Sequence, residues 1–183
     1  MNAYKKILFY LFIWGSFHAS VAQKFISTES YVHFFSDAPL ENIEAVNESA
    51  RSAFDANTGD LVFSIPIDKF EFSNKLMEEH FNENYMETEK YPKATFQASI
   101  ENWNKKNDFS EATAKGVLDL HGVKKEITVN GSLTYDAESM EINAKFPIRL
   151  ADHKIKIPKA VFYNIAEEVD VTVKFKYEPH AQN

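Results

Sequence analysis

Residues 74–96, NKLMEEHFNENYMETEKYPKATF, decide the fold because they contain a short amphipathic helix, a helix stop and the start of a strand. Met77, Phe81 and Tyr85 recur at intervals of four residues, which predicts one apolar stripe along a helix. Pro92 prevents continuation of the helix and favours an extended chain before it. We therefore expect one short helix whose apolar stripe packs against the rest of the protein.

The polar residues of this segment predict where the helix begins and which side faces solvent. Ser73 or Asn74 can cap its start, because a short polar side chain there accepts hydrogen bonds from free backbone N–H groups. Glu78, Glu79 and Glu83 are expected to face away from the apolar stripe.

Most of the remaining chain alternates apolar and polar residues with a period of two, which is typical of antiparallel strands with one buried face. The alternation is clear at 61–67, 94–100, 114–120, 127–133, 140–150 and 169–177. Less regular segments at 24–27, 31–36 and 49–55 are further strand candidates.

About eight antiparallel strands with one apolar face bury that face without exposed edges by closing on themselves. We therefore predict an all-β, closed antiparallel barrel of about eight strands, with the single helix across one mouth. Gly116 and Gly131 fall inside predicted strands, where glycine often marks a sharp bend of a barrel wall.

Residues 1–22 have the features of an export signal. Two lysines precede an apolar run at 7–17 that is short for a spanning helix, and Ser20-Val21-Ala22 is a small-residue cleavage pattern. We expect cleavage after Ala22, a mature domain at 23–183 and a periplasmic or secreted location, a retained anchor being the alternative. The sequence contains no cysteine, which excludes an acylated lipoprotein anchor and disulfides.

Charge and length narrow the function classes. The chain has a net charge of −7, and loss of the signal removes two lysines and no acid, which gives −9. An acidic protein is repelled by nucleic acid and by anionic lipid headgroups. We therefore expect no nucleic-acid partner and no stable membrane anchor. About 160 residues suit one domain with a sizeable core.

The sequence contains no motif for a catalytic nucleophile, a phosphate-binding loop or a zinc site. His80 and Glu83 lie one helical turn apart, but two ligands make a poor metal site. His121 precedes Gly122 and is expected to form a turn, and His153 lies in polar surroundings with no assigned role. We predict no enzymatic activity, no metal and no cofactor.

Two motifs resemble the signatures of the YceI-like family, which are secreted lipocalin-like barrels that bind polyisoprenoid lipids. The first is the helix-to-strand segment, with its paired residues at His80-Phe81, Tyr85-Met86, Tyr91-Pro92 and Thr95-Phe96. The second is GVLDLHGVKKEITV at 116–129, which reads as a strand, a His-Gly-Val turn, a basic pair and a strand. The resemblance implies a lipocalin-like barrel and an isoprenoid ligand.

The predicted inner face of the barrel mixes bulky and very small residues, which leaves an apolar void unless a ligand fills it. We predict non-catalytic binding or carriage of an apolar lipid, either an isoprenoid or an acyl chain. The alternative is a structural or interaction barrel with a side-chain-filled core. The residues expected to line the ligand are Phe34, Phe63, Phe96, Ala98, Ile100, Ala114, Leu118, Ile127, Ala144, Phe146 and Val171 in the barrel, and Met77, Phe81 and Tyr85 at its mouth.

Overall fold

The computed structural model describes residues 24–37, 42–104, 109–136, 138–157 and 166–180. The strands are β1 (Lys24–Ser36), β2 (Ile43–Asn47), β3 (Arg51–Asp55), β4 (Asp60–Pro66), β5 (Glu71–Phe72), β6 (Lys93–Ile100), β7 (Phe109–Leu120), β8 (Val123–Tyr135), β9 (Met140–Arg149) and β10 (Glu168–His180). Helix α1 (Lys75–His80) continues into a π-helical turn at Phe81–Tyr85, and 3₁₀ turns occupy Ile67–Lys69 and Leu150–His153. The export signal predicted at 1–22 lies outside the described residues and stays a prediction.

Eight of these strands close into an antiparallel barrel. Their order is β10-β9-β8-β7-β6-β4-β3-β1, and pairing between β1 and β10 completes the ring. One edge of β1 pairs with β10 along nearly its whole length, while the other edge pairs first with β3 and then with β2. The predicted closed barrel of about eight antiparallel strands with one short helix is confirmed.

The details of the first strands differ from the prediction. β1 is one strand of 13 residues rather than two short ones, and its register shifts between Ser27 and Glu29. A bulge of this kind inserts an unpaired residue, which interrupts the period-two alternation in the sequence. β2 and β5 were not predicted, because segments of five and two residues are too short to show a period. Ile67 and Leu150, expected on strands, begin the two 3₁₀ turns instead.

The end of the barrel opposite α1 is closed by a group of large side chains that we call the floor cluster. Its members are Phe25, Phe54, Trp103, Tyr135, Met140 and Tyr177. The Trp103 ring lies 4.9 Å from that of Phe54 and 5.4 Å from that of Tyr135, each edge to face. Phe25, Phe54, Met140 and Tyr177 are at most 1% exposed. Large side chains therefore fill this end of the barrel.

Hydrogen bonds satisfy the polar side-chain atoms of Trp103 and Tyr177 in the floor cluster. The indole Nε1 of Trp103 donates to the carbonyl oxygen of Ala56 at 2.9 Å. The hydroxyl of Tyr177 donates to Ser52 Oγ at 2.8 Å, and burial raises the pKa of Tyr177 well above its ordinary value. A buried aromatic residue whose polar atom has a partner stabilises its site without a desolvation penalty.

Two wall positions require glycine because neighbouring strands approach closely. A Cβ atom at Gly116 would overlap the Gln97 carbonyl oxygen and Ala98, on β6. At Gly131 it would overlap β9, at the carbonyl oxygen of Asn143 and at Ala144. No helix among the described residues combines the length and the hydropathy that crossing a bilayer requires.

Candidate functional site

The barrel encloses an apolar cavity of about 230 Å³ that begins under α1. Its deepest lining residues include Leu61, Ile100, Leu133 and Ile142, directly above the floor cluster. No charged side chain lines it among the residues that the structure describes. The cavity can therefore bury hydrocarbon, but its described lining offers no oppositely charged partner to a charged group.

Ten of the eleven barrel residues predicted to line a ligand do line this cavity, and so do all three residues predicted at the mouth. They are Phe34, Phe63, Phe96, Ile100, Ala114, Leu118, Ile127, Ala144, Phe146 and Val171, with Met77, Phe81 and Tyr85. The structure thus places them around one space, and their contact with a ligand stays a prediction.

Ala98 is the predicted residue that does not line the cavity. It pairs with Gly116 on the neighbouring strand, where the two backbones are so close that only a glycine fits opposite it. Its methyl group is therefore buried in the wall, and alternation alone could not distinguish this position from Phe96 or Ile100 on the same strand.

Several lining residues were missed by the sequence analysis. They are Val32, Ile43, Phe70, Phe72, Met86 and Ile155, among others. Phe70 and Phe72 flank a single glutamate, so a short period-two signal was present, but strand β5 contains only Glu71 and Phe72. Its position against β2 is set by tertiary pairing, which the local sequence does not encode.

The apolar stripe of the helix covers one end of the cavity, and we call α1 and the π-helical turn together the lid. The Phe81 ring stacks on Phe34 at 5.5 Å and also contacts Phe70 and Phe72 at 5.7 and 5.0 Å. No residue of the lid is fully buried. The lid is therefore attached to the barrel chiefly through side chains that also line the cavity.

The π-helical turn sets the orientation of the lid side chains. The backbone N–H of Met86 donates to the Phe81 carbonyl oxygen at 2.9 Å, a bond that spans five residues instead of four. The additional residue in the turn brings Phe81, Tyr85 and Met86 to the cavity together with Met77. The spacing of four predicted the stripe correctly but gave no signal of the wider turn.

The start of the lid is held by two polar contacts. Asn74 Oδ1 accepts hydrogen bonds from the backbone N–H groups of Leu76 and Met77, which confirms the predicted cap. Glu78 was expected to face away, but its Oε2 accepts from the backbone N–H of Phe72 at 3.2 Å. Its ion pair with Lys75, followed by this backbone bond, lowers the pKa of Glu78. The carboxylate thus joins the lid to β5.

His121 connects Glu87, two residues after the lid, to His153 on the barrel. His121 has φ 52° in the turn between β7 and β8, as predicted. Its Nδ1 donates to the His153 carbonyl oxygen at 3.1 Å, and its Nε2 lies 3.0 Å from Glu87 Oε2. The expectation of polar surroundings for His153 was wrong, because this side chain is only 3% exposed and its Nδ1 has no hydrogen-bond partner among the residues that the structure describes. His153 is the last residue of a 3₁₀ turn that the sequence did not predict.

Acid should destabilise the protein through His153. Burial lowers the pKa of His153 below its ordinary 6.5, while the backbone carbonyls of Val123 and Leu120 oppose this shift. As the pH falls below about 6.5, His153 becomes protonated in the unfolded chain but stays neutral in the folded protein. The free energy of unfolding therefore decreases as the pH falls. Urea unfolding from about pH 7.5 to about pH 5 should show a steeper loss for the native protein than for His153→Gln. A substitution at the exposed His180, His180→Gln, is the control, and identical slopes for His153→Gln and the native protein would contradict this prediction.

The Phe81 ring should contribute strongly to the stability of the lid. Phe81→Ala removes contacts with three aromatic rings, and because Phe81 is half-buried we expect a loss of about 2–3 kcal/mol, below the value for a fully buried Phe. Leu76→Ala, at the most exposed large apolar residue of the same helix, and Glu79→Ala should each change stability by less than about 0.5 kcal/mol. Denaturation midpoints measure all three, and equal midpoints would show that the lid does not depend on Phe81.

Comparison with known proteins gives one family and several structures of the same fold. The family model of the YceI-like domain matches residues 21–177. The structure is similar to a polyisoprenoid-binding domain from Saccharophagus degradans implicated in plant cell wall breakdown, with a TM-score of 0.71 and 16% identity over 85% of this chain and 98% of that one. It is also similar to Burkholderia cenocepacia BcnA, with a TM-score of 0.67 and 19% identity over 80% and 95% of the two chains.

A third similar structure is the YceI protein of Campylobacter jejuni, with a TM-score of 0.56 and 17% identity over 73% of this chain and 81% of that one. None of the curated proteins compared with the chain matches it significantly. At these identities the structural similarity establishes the fold.

Proposed function

Because the chain belongs to the YceI-like family, we propose that it binds an apolar lipid inside its barrel. The observation that carries this proposal is the cavity of about 230 Å³, which has an uncharged lining and lies within a closed barrel. The Saccharophagus degradans domain, which has the same fold, binds polyisoprenoid, and this supports an isoprenoid as one ligand class. An acyl chain has the same apolar character and is the other.

The driving force for binding is removal of hydrocarbon from water. Each square ångström of apolar surface that the ligand buries contributes about 25 cal/mol. The cavity lies inside a barrel whose walls are complete without a ligand, so little ordering of the protein opposes binding. An apolar space of this size does not hold water favourably, and its walls lack contacts when it is empty.

The role we propose is non-catalytic carriage in an exported protein. The cavity lining presents no charged side chain that could act as an acid or a base on a bound molecule, among the residues described. Within the same ranges no three His, Asp or Glu side chains are arranged to hold a metal ion. The signal predicted at 1–22 supports release from the cytoplasm, to the periplasm or beyond it.

Lipid that co-purifies with the protein tests this proposal. The native protein should be purified without detergent and extracted with organic solvent, and the extract analysed by mass spectrometry against an extract of the unfolded and refolded protein. We expect an isoprenoid or acyl lipid in amounts comparable to the protein, and rebinding of added lipid after refolding. A native protein that carries no lipid and binds neither prenols nor fatty acids would support the alternative, a structural or interaction barrel.

A further inference from the structure

The cavity is closed at one end and covered by the lid at the other. Below Leu133 and Ile142, which are paired on β8 and β9, the next inward layer contains Tyr135 and Met140 of the floor cluster. In the floor cluster, Phe25, Phe54, Met140 and Tyr177 are almost completely buried, Trp103 and Tyr135 are half-buried, and ring contacts and hydrogen bonds hold the group together. The lid, in contrast, has no fully buried residue. A molecule can therefore enter only from the lid end of the described structure.

The charge distribution determines which end of an amphiphile enters first. A polar headgroup inside the cavity would lose its hydration without gaining a charged partner, which is unfavourable. At the lid end, exposed polar and charged residues and open solvent are available, including Glu79 and Glu83 on the lid itself. The hydrocarbon tail therefore enters first and the headgroup remains at the lid.

The two ends of the cavity are separated by a distance that can be read along one strand. Ile148 near the lid and Ile142 near the floor both line the cavity and lie six residues apart on β9. At about 3.3 Å per residue and a strand tilt of about 40°, this corresponds to a depth of about 15 Å along the barrel axis. An extended chain advances about 1.2 Å per bond, so about twelve carbons span the depth.

We propose that the Leu133–Ile142 layer on the floor cluster measures the length of the bound chain. This inference rests on the proposed lipid-binding function and adds two properties to it. The ligand is a linear or isoprenoid amphiphile that binds tail first, with its polar head outside. The terminal carbon of the tail reaches the Leu133–Ile142 layer, and chains longer than about twelve carbons gain no further contact from the additional length.

Affinity as a function of chain length tests the measuring role. Saturated primary alcohols of about six to about eighteen carbons should displace a fluorescent fatty-acid probe, with affinity rising about fourfold per buried methylene and then reaching a plateau. Ile142→Ala should move the plateau to a longer chain. Ile148→Ala, the same substitution near the lid on the same strand, should leave the plateau in place. If Ile142→Ala fails to fold, Ile142→Val gives a smaller shift in the same direction.

The fluorescence of Trp103 reports the orientation of the bound amphiphile. The chain contains two tryptophans, Trp14 and Trp103, so the full chain carrying Trp14→Phe has its single indole in the floor cluster. Dodecanol brominated at its terminal carbon should quench this fluorescence strongly, because bromine quenches only at short range. Dodecanol brominated beside the hydroxyl should quench weakly.

The possible outcomes separate this inference from the function on which it rests. Failure of every alcohol and of every extracted lipid to bind would overturn the proposed function itself. Binding without a plateau, equal plateau shifts in Ile142→Ala and Ile148→Ala, or stronger quenching by the head-brominated alcohol would overturn the inference while lipid binding stands. A shift confined to Ile142→Ala, together with tail-end quenching, supports it.

Discussion

Ala144→Trp is expected to abolish lipid binding while the barrel remains folded. Ala144 is half-buried on β9, lines the middle of the cavity and lies beside Gly131, so a large side chain there can extend only into the cavity. The indole would occupy the volume of the ligand and so avoid the strain of about 1–3 kcal/mol that overpacking a filled core causes.

The test measures thermal stability and co-purified lipid on the same sample. Glu141→Trp, which adds the same side chain at an exposed position of the same strand, is the control and should retain both the lipid and the melting temperature. A large fall in the melting temperature of Ala144→Trp, with no lipid on the native protein, would show that the core is filled and that the barrel is not a carrier.

The second large effect is expected from the addition of one methyl group at Gly116. Gly116→Ala should lower the free energy of unfolding by about 3–5 kcal/mol, because the new Cβ would overlap the Gln97 carbonyl oxygen, a backbone atom that cannot rotate away. Chemical denaturation measures the change. Val117→Ala, at the exposed neighbouring position on the outer face, should cost less than about 1 kcal/mol.

A double substitution identifies the cause of the Gly116 effect. Ala98→Gly removes the Ala98 methyl group, one of the atoms that the new Cβ would meet, while the Gln97 carbonyl oxygen and the Ala98 Cα remain, so the pair Gly116→Ala with Ala98→Gly should be only slightly more stable than the sum of the single changes predicts. A stable Gly116→Ala protein would contradict the close approach of β6 and β7, and strictly additive effects would show that the Ala98 methyl group adds nothing to the overlap.

Long segments whose burial repeats regularly could be predicted from the sequence. Strands β6 to β10 each contain at least eight residues, so their alternation is visible and the inner face follows from it. The apolar stripe of the helix could also be predicted from the sequence, because Met77, Phe81 and Tyr85 share a face whether the last turn is α-helical or π-helical. These two signals were sufficient for the barrel, the lid and a part of the cavity lining.

Features that depend on a partner strand could not be predicted in the same way. Ala98 has the pattern of a cavity residue, but its neighbour Gly116 brings a backbone against it. In the sequence, His153 and Glu78 resemble surface residues. In the structure, His153 is buried in a 3₁₀ turn, and Glu78 accepts a hydrogen bond from the backbone N–H of Phe72. In each case the deciding atom belongs to another part of the chain, and its position is a result of folding rather than of local pattern.

The pairing of the first strand with the last has a consequence for the order of folding. Lys24 pairs with His180 and Phe34 with Val171, so the ring closes only when the two ends of the domain meet. Contacts between residues so far apart in the sequence form slowly, because the chain loses the entropy of closing a long loop before the contacts can stabilise it. Val169, Val171, Val173 and Phe175 supply one wall of the cavity, and all lie on the last strand. Until β10 pairs with β1 the sheet is therefore open, and the cavity lacks one of its walls.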